Sequence, residues 1–346
     1  MKEVAIIGAG VSGLSAAFEL SRKGIQAVVF EKSRGLSGRA ATRRRGQICM
    51  DHGANFFRTA DPEVAHLIHE TLPSVDLVEI KGDVWTFDRD SVISPGDPEQ
   101  NKQPKYTYRR GISTLGKLLQ AASGTDVQRQ QRVKRLIEKG QQWELENEAG
   151  DNLGQFDAVI VTAPAPQAAQ IILESTLEDH IRNSLVQALK QARYDPQFAF
   201  VIGFTDKLPL EKRFHALVNQ DGQHPVSWIS FEDDKPGHVP KGNTVLVIQM
   251  SPSWSSLHLE HDPEQLLPQV LAQISSLMPE IAQAPEWWES QRWLLAAPRS
   301  AVDTTTLQQG ESYGLFFAGD GLSGRGRLPL AIKSGLDTAK RLMARM

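Results

Sequence analysis

The chain has 346 residues, of which 40% are hydrophobic and 23% are charged, and its 38 Lys and Arg against 41 Asp and Glu leave a net charge of −3. This length predicts two domains. The chain is slightly acidic and its longest run of like charge is the three arginines 43–45, so we do not expect it to bind nucleic acid. The single cysteine, Cys49, excludes an intrachain disulfide, a CxxC redox pair and a thiolate metal cluster, and it favours a cytoplasmic location.

The N-terminus predicts the start of a dinucleotide-binding fold rather than a secretory signal. An apolar run, 4–7, has the character of a buried parallel strand, and the motif GAGVSG (8–13) follows it directly. Apolar residues then recur at helical spacing as far as Gly24. A second apolar run, 27–30, ends in Glu31, whose carboxylate is placed to accept hydrogen bonds from a ribose.

Each position of this motif has a physical role in binding a pyrophosphate. Gly8 permits the tight turn, Gly10 lets the backbone approach the phosphates, and Gly13 lets helix and strand pack closely. The amides of Val11 and Ser12 lie at the positive end of the helix dipole. The motif by itself is compatible with either NAD or FAD.

The middle of the chain predicts a hairpin and a further parallel strand. The hairpin has alternating strands at 132–137 and 142–145 around Gly140, and the strand at 156–161 leads into a proline turn at 162–166. No run reaches the roughly 18 apolar residues of a membrane helix, so we expect no membrane span.

Near the C-terminus, a predicted strand at 314–318 precedes a second GxGxxG at 319–324. A separate nicotinamide domain would need a helix, another strand and an acid about 20 residues on. The residues that follow predict only one amphipathic helix, which starts near Leu328 with Pro329 in its first turn. Any nicotinamide is therefore expected to bind as a substrate, without a Rossmann site of its own.

Several segments resemble FAD proteins of the amine oxidase superfamily. The stretch 34–42 resembles the R-G-x-G-G-R-x-x-[S/T] segment, although Ser37 replaces its usual glycine, and Gly319-Asp320 resembles the late Gly-Asp motif. The resemblance implies that Arg39 contacts the pyrophosphate region, that Asp320 binds the ribityl chain and that the last helix points at the flavin pyrimidine. The FAD contacts predicted from motif and resemblance are Gly8, Gly10, Val11, Ser12, Gly13, Glu31, Lys32, Gly38, Arg39, Asn55, Phe56, Val133, Ala163, Gly319, Asp320 and Leu328.

Over nearly its whole length the chain resembles renalase and its bacterial relatives within that superfamily. The residues that carry this resemblance are 50–57, 109–113, Trp228 with the Lys-Pro-Gly at 235–237, and 292–294. It implies an α/β fold of the amine oxidase and glutathione reductase type, with a Rossmann-type FAD-binding domain and a discontinuous α+β substrate domain. The predicted boundaries are 1–58, 105–168 and 310–346 for the FAD-binding domain, and 59–104 and 169–309 for the substrate domain.

The implied activity is transfer of a hydride from a small reduced substrate, such as a dihydro-NAD(P) isomer reduced at the wrong ring position, to non-covalently bound FAD, with reoxidation by dioxygen. The alternatives are a flavin amine oxidase, a desaturase, or a flavin-binding module without turnover. No metal site is expected, and the oligomeric state stays open. The substrate-site candidates are Trp228, Gln249, Trp254, Arg292 and Trp293.

Two features of this sequence depart from the renalase pattern. Gln249 stands where a bacterial relative has a histidine, and an amide can hydrogen-bond but cannot titrate. The segment 229–234 is acidic, which disfavours a phosphate-bearing nicotinamide.

Overall fold

The computed structural model describes residues 3–208, 214–281 and 283–346. Its strands are, in chain order, β1 (Glu3–Ile7), β2 (Gln26–Glu31), β3 (Thr42–Arg45), β4 (Ile48–Asp51), β5 (Leu77–Ile80), β6 (Asp83–Phe87), β7 (Ile93–Ser94), β8 (Lys105–Tyr108), β9 (Asp126–Arg129), β10 (Val133–Lys139), β11 (Gln142–Asn147), β12 (Asn152–Phe156), β13 (Ala158–Val161), β14 (Tyr194–Phe204), β15 (Phe214–Asn219), β16 (Val226–Phe231), β17 (Thr244–Met250), β18 (Trp287–Pro298) and β19 (Leu315–Phe317). Its α-helices are α1 (Val11–Ser21), α2 (Pro62–His66), α3 (Pro98–Lys102), α4 (Thr114–Ser123), α5 (Ala165–Glu174), α6 (Asp179–Lys190), α7 (Pro252–Leu257), α8 (Pro263–Leu277), α9 (Thr304–Leu307) and α10 (Leu328–Arg345). A π-helical turn spans Leu67–Thr71, and 3₁₀ turns span Glu232–Asp234, Pro279–Ile281, Gln308–Tyr313 and Asp320–Leu322.

The first sheet has five parallel strands in the order β19-β13-β1-β2-β9. Val4 and Ile6 of β1 face α1, α4 and α10, whereas Ala5 and Ile7 face α5, α6 and the antiparallel sheet β10-β11-β12. Because a parallel sheet with both faces covered buries nearly every side chain, its inner strands β1 and β13 are apolar runs, whereas the edge strand β9 is polar and largely exposed. The predicted α/β fold class with a Rossmann-type domain is confirmed.

The second sheet has seven strands in the order β18-β14-β17-β16-β15-β6-β7. One of its faces carries Phe198, Phe200 and Ile248, which pack against Leu266 and Val270 of α8. The other face turns toward β4, where Val201, Val245 and Val247 pack on Ile48 and Met50. The sheet therefore presents one apolar face to its helices and the other face to the chain that follows the first βαβ unit.

The two sheets are built from segments that alternate along the chain. The second sheet takes its strands from 83–94 and 194–298, which lie inside the predicted substrate domain. Helices α5 and α6, however, pack on the first sheet through Ile172, Leu185 and Leu189, although residues 169–309 are predicted to belong to the substrate domain. Their apolar stripes cover the face of the parallel sheet that α1 and α10 leave open.

Candidate active site

The turn between β1 and α1 has room for a phosphate group. Gly8 adopts a φ of +110°, and a Cβ atom there would lie 2.7 Å from the Thr162 hydroxyl oxygen. A Cβ at Gly13 would lie 2.1 Å from the carbonyl oxygen of Gly8, so neither position tolerates a side chain. Around Gly10 nothing lies within 4 Å of the Cβ position, and as the N-cap residue Gly10 leaves the first amides of α1 without a side-chain cap. This open, amide-rich cradle fits the pyrophosphate of a dinucleotide.

At the end of β2, the backbone holds the Glu31 carboxylate in place. Its two oxygens accept hydrogen bonds from the amides of Ala9 and Ser33, each at 2.8 Å. Since each carboxylate oxygen has two lone pairs, both can still accept a ribose hydroxyl. Lys32 beside it donates to the Gln167 side chain at 3.0 Å, and burial followed by repulsion from Arg132 lowers its pKa.

Arg39 and Asp320, which are 281 positions apart, form an ion pair. The guanidinium donates to Asp320 Oδ1 at 2.8 Å and to the carbonyl oxygens of Leu295 and Ala296 at 3.2 and 3.1 Å. The Tyr194 hydroxyl donates to the same carboxylate oxygen at 3.2 Å, and burial together with the Asp320 charge raises the pKa of Tyr194. Tyr194 is not predictable from the sequence, because nothing in the local pattern of β14 brings its first residue to the Gly-Asp turn.

The turn that carries Arg39 contains a strained serine. Ser37 has a φ of +76°, a left-handed conformation that glycine adopts at no steric cost. Its hydroxyl donates to the carbonyl oxygen of Ser113 at 2.9 Å, and its amide donates to the carbonyl oxygen of Ala9 at 2.8 Å. These bonds offset the strain and fix the arginine loop against α4 and the glycine turn.

The segment 52–56, which follows β4, lies against the second sheet. Gln249 Nε2 donates to the carbonyl oxygen of Gly53 at 2.6 Å, and the Ser230 hydroxyl donates to Asn55 Oδ1 at 3.0 Å. Trp293 Nε1 donates to the carbonyl oxygen of His52 at 3.2 Å.

Aromatic rings close the same interface. The Phe56 ring lies 5.9 Å from that of Trp228, and the His52 ring stacks on Trp293 at 5.4 Å. Three substrate-site candidates, Trp228, Gln249 and Trp293, therefore contact the segment 52–56 from the same face of the second sheet.

The other two substrate-site candidates lie on the opposite face of the second sheet, so their assignment to the same site is corrected. Trp254 of α7 packs edge-on against Phe198 and Phe200 in the helix-covered core. The Arg292 guanidinium lies over the Phe198 ring and donates to the carbonyl oxygen of His261. The physical reason is the two-residue period of a strand, because neighbours such as Arg292 and Trp293 cannot point to one face.

His52 brings an uncharged imidazole to the interface. Burial, followed by repulsion from Arg43, lowers the pKa of His52 to about 4. Its Nδ1 is buried and has no hydrogen-bond partner among the described residues, so it is not a fully paired structural histidine. In a neutral imidazole, the unpaired Nδ1 can accept or donate one hydrogen bond, depending on the tautomer.

Residues 82–343 match the sequence profile of the family described as flavin containing amine oxidoreductase. The chain belongs to this family. Residues 6–71 also match the NAD(P)-binding Rossmann-like domain. Membership of this family confirms the predicted enzyme class, an FAD-dependent oxidoreductase, and the predicted cofactor. The open cradle around Gly10 fits the pyrophosphate of that cofactor.

Curated relatives match this oxidoreductase over short segments. Protoporphyrinogen oxidase 2 of Arabidopsis thaliana is 39% identical over 69 residues, which are 20% of this chain and 14% of that protein. The 4,4'-diapophytoene desaturase of Staphylococcus haemolyticus is 31% identical over 118 residues, 33% of this chain and 23% of that enzyme. The matches thus span less than a quarter of either relative's length.

A solved structure extends the likeness to the complete fold. A protein from Exiguobacterium sp. 255-15, provisionally assigned as a protoporphyrinogen oxidase, superposes with a TM-score of 0.80 at 16% identity over 100% of this chain and 99% of that one. At this identity the likeness shows the fold alone. No helix among the described residues is both long and apolar enough to cross a membrane.

Substitutions at Ser37 should separate backbone strain from hydrogen bonding. Ser37→Ala keeps the left-handed strain and loses the bond to Ser113, so we expect it to lower the free energy of unfolding by about 1 kcal/mol. Ser37→Gly loses the same bond but relieves strain of about 1 kcal/mol, so it should stay close to the parent. Urea unfolding of the three proteins measures both effects, and an Ala variant as stable as the Gly variant would contradict the account.

The lowered pKa of His52 should destabilise the protein in mild acid. Between pH 6.5 and 4 the unfolded chain binds a proton at His52 that the folded chain does not, so the free energy of unfolding falls as pH drops through this window. The full contribution, present above pH 6.5, is at most about 3 kcal/mol. In urea unfolding at a series of pH values, His52→Gln should flatten this slope, whereas the exposed His66→Gln should leave it unchanged.

Proposed function

We propose that the protein is a renalase-like oxidase that takes a hydride from a dihydronicotinamide reduced at the wrong ring position, and that dioxygen accepts the electrons. The observation that carries the proposal is the interface between the segment 52–56 and the second sheet. There the rings of Trp228 and Trp293 lie beside the uncharged polar groups of His52, Asn55 and Gln249. Flat walls and neutral hydrogen-bonding groups suit a planar, uncharged ring.

The residues that would hold FAD lie along the carboxyl edge of the first sheet. The open amides at Gly10 would bind the pyrophosphate, Glu31 the ribose, and Arg39 with Asp320 the pyrophosphate and ribityl region. The first turn of α10, which begins at Leu328 without a side-chain cap, would place amides at the pyrimidine end. When bound, FAD supplies the hydride acceptor. The protein's part is then to orient the substrate ring and to exclude water.

The acidic segment 229–234 is less unfavourable to a nicotinamide substrate than its sequence indicates. Glu232 is fully buried and forms ion pairs with Lys235 and His238. Its charge is therefore neutralised inside the protein. The single cysteine supports a reducing compartment such as the cytoplasm for this activity.

The second candidate is oxidation of an amine, and membership of the flavin containing amine oxidoreductase family favours it. The two candidates differ in the charge of the substrate, because an amine is usually a cation in water and a dihydronicotinamide ring is not. The neutral side chains His52, Asn55 and Gln249 provide no counter-charge for a cation.

Anaerobic mixing of the flavin-loaded protein with substrates tests this proposal. We expect wrong-position dihydronicotinamides to bleach the flavin absorbance rapidly, and ordinary NADH, NADPH and a panel of amines to do so slowly or not at all. Trp228→Leu should slow bleaching at least tenfold, whereas Trp254→Leu, a matched change on the helix-covered face, should lower stability but leave the rate within about threefold. Bleaching by amines alone would exclude the renalase-like activity.

Loss of the Asp320 carboxylate should weaken FAD retention. Asp320→Ala removes the acceptor that Arg39 and Tyr194 orient, so we expect the flavin-to-protein ratio after gel filtration to fall severalfold. Asp90→Ala, at an exposed turn, is the control and should keep the parent ratio. An Asp320→Ala protein with full flavin would refute this placement of the ribityl chain.

A further inference from the structure

A cluster of four ionisable side chains lies buried where β4 meets the second sheet. Asp51, Glu232, Lys235 and His238 are each at most 1% exposed. Lys235 Nζ lies 2.7 Å from Glu232 Oε1 and 3.3 Å from Asp51 Oδ2, and His238 Nδ1 lies 3.0 Å from Glu232 Oε2. Such a group is costly to bury unless its charges are paired.

The geometry makes the cluster electrically neutral. Burial alone would raise the pKa of Glu232, but Lys235 and His238 outweigh it and hold that pKa well below its usual value, so Glu232 is ionised. Burial would lower the pKa of Lys235, yet Glu232 and Asp51 raise it, so Lys235 is charged. His238 Nε2 points at the carbonyl oxygen of Tyr108 at 2.9 Å and Nδ1 points at a carboxylate, so both nitrogens donate and the ring is an imidazolium. Two cations thus balance two anions.

A metal ion does not explain this cluster. Ligand atoms of Asp51, Glu232 and His238 do lie within 4.8 Å of one another. The Lys235 ammonium, however, already contacts both carboxylates, and it would repel a divalent ion. The cluster is therefore complete as an ionic network of the protein itself.

The cluster joins the second sheet to the backbone that leads into the segment 52–56. Glu232 Oε2 accepts a hydrogen bond from the Asp51 amide at 3.0 Å, and the carbonyl oxygen of His238 accepts one from the Cys49 amide at 2.7 Å. The Asp51 carboxylate in turn accepts bonds from the Ile112 amide at 2.9 Å and the Thr107 hydroxyl at 3.0 Å. Asp51 is thus held from both sides, directly before the residues at the proposed flavin site.

We propose that Glu232 and Lys235 are positioning residues that set where the segment 52–56 stands relative to the flavin, an inference that rests on the site given in the proposed function. Neither residue touches the reacting atoms. Glu232 acts through the Asp51 amide, and Lys235 keeps the two carboxylates from repelling each other. Removing either charge leaves an uncompensated charge in a dry site, whereas removing both leaves Asp51 and His238 as a balanced pair.

The test compares Glu232→Gln, Lys235→Met and the double variant in the flavin-loaded protein. We expect amide hydrogen exchange over 51–57 to be at least tenfold faster in each single variant than in the parent protein. In the double variant, exchange should be slower than in either single variant, because the remaining charges balance. In the single variants, the limiting rate of flavin reduction should fall at least tenfold, because the substrate is no longer correctly oriented. The half-saturating substrate concentration should stay within threefold of the parent value, because binding is retained. Glu289→Gln is the matched control, since Glu289 of β18 also joins the second sheet to the β3–β4 hairpin, through Arg43 at 3.2 Å, but is partly exposed.

The proposal would be overturned if exchange over 51–57 stayed at the parent rate in the single variants. It would also be overturned if exchange rose equally in Glu289→Gln. If the single variants do not fold, a folded, flavin-binding double variant supports it, and a double variant that also fails to fold overturns it. The exchange measurement needs no substrate. If no dihydronicotinamide reduces the parent protein, the proposed function fails while the exchange result still decides the role of the cluster.

Discussion

The parallel pairing of β1 with β2 and β13, and of β13 with β19, is the constraint on which the rest of the structure depends. Parallel strands end at the same edge of a sheet, and a ligand of such a fold binds at that edge. Segments hundreds of positions apart therefore meet there, as Arg39 and Asp320 do through a 2.8 Å ion pair. Without this pairing the two motifs would be unrelated patterns in the chain.

The second sheet adds a different constraint, the alternation of side chains along each strand. In β14, Phe198 and Phe200 go to the helix-covered core, while Val201, three positions after Phe198, goes to the interface with β4. The same rule divides Trp293 from Arg292 on β18. A site on this sheet can use only every second residue of a strand, which narrows the candidates to Trp228, Gln249 and Trp293.

Much of the nucleotide end was predictable because its signals are local. The glycine turn, the helix beginning at Val11, the acid that ends β2 and the helix beginning at Leu328 each follow from residues adjacent in the chain. Even the strain at Ser37 was indicated, because serine stands where related proteins have glycine. Tyr194 and the cluster around Glu232 were not predictable, since their partners come from other segments.

By itself, the sequence determined the α/β class and the elements that carry the nucleotide motifs, because strands, glycine turns and helix starts depend on neighbouring residues. The flavin cofactor was indicated by the resemblance of the segments 34–42 and 319–320 to a known superfamily. Only the tertiary structure decided which side chains share a site. Trp254 and Arg292 lie on the opposite face of the second sheet from Trp293. Glu232 is only an acidic residue in the sequence, but in the structure it is buried and paired with Lys235, His238 and the Asp51 amide. The physical reason is that burial and pairing belong to the packed chain, where a charge either finds its counter-charge or cannot be buried.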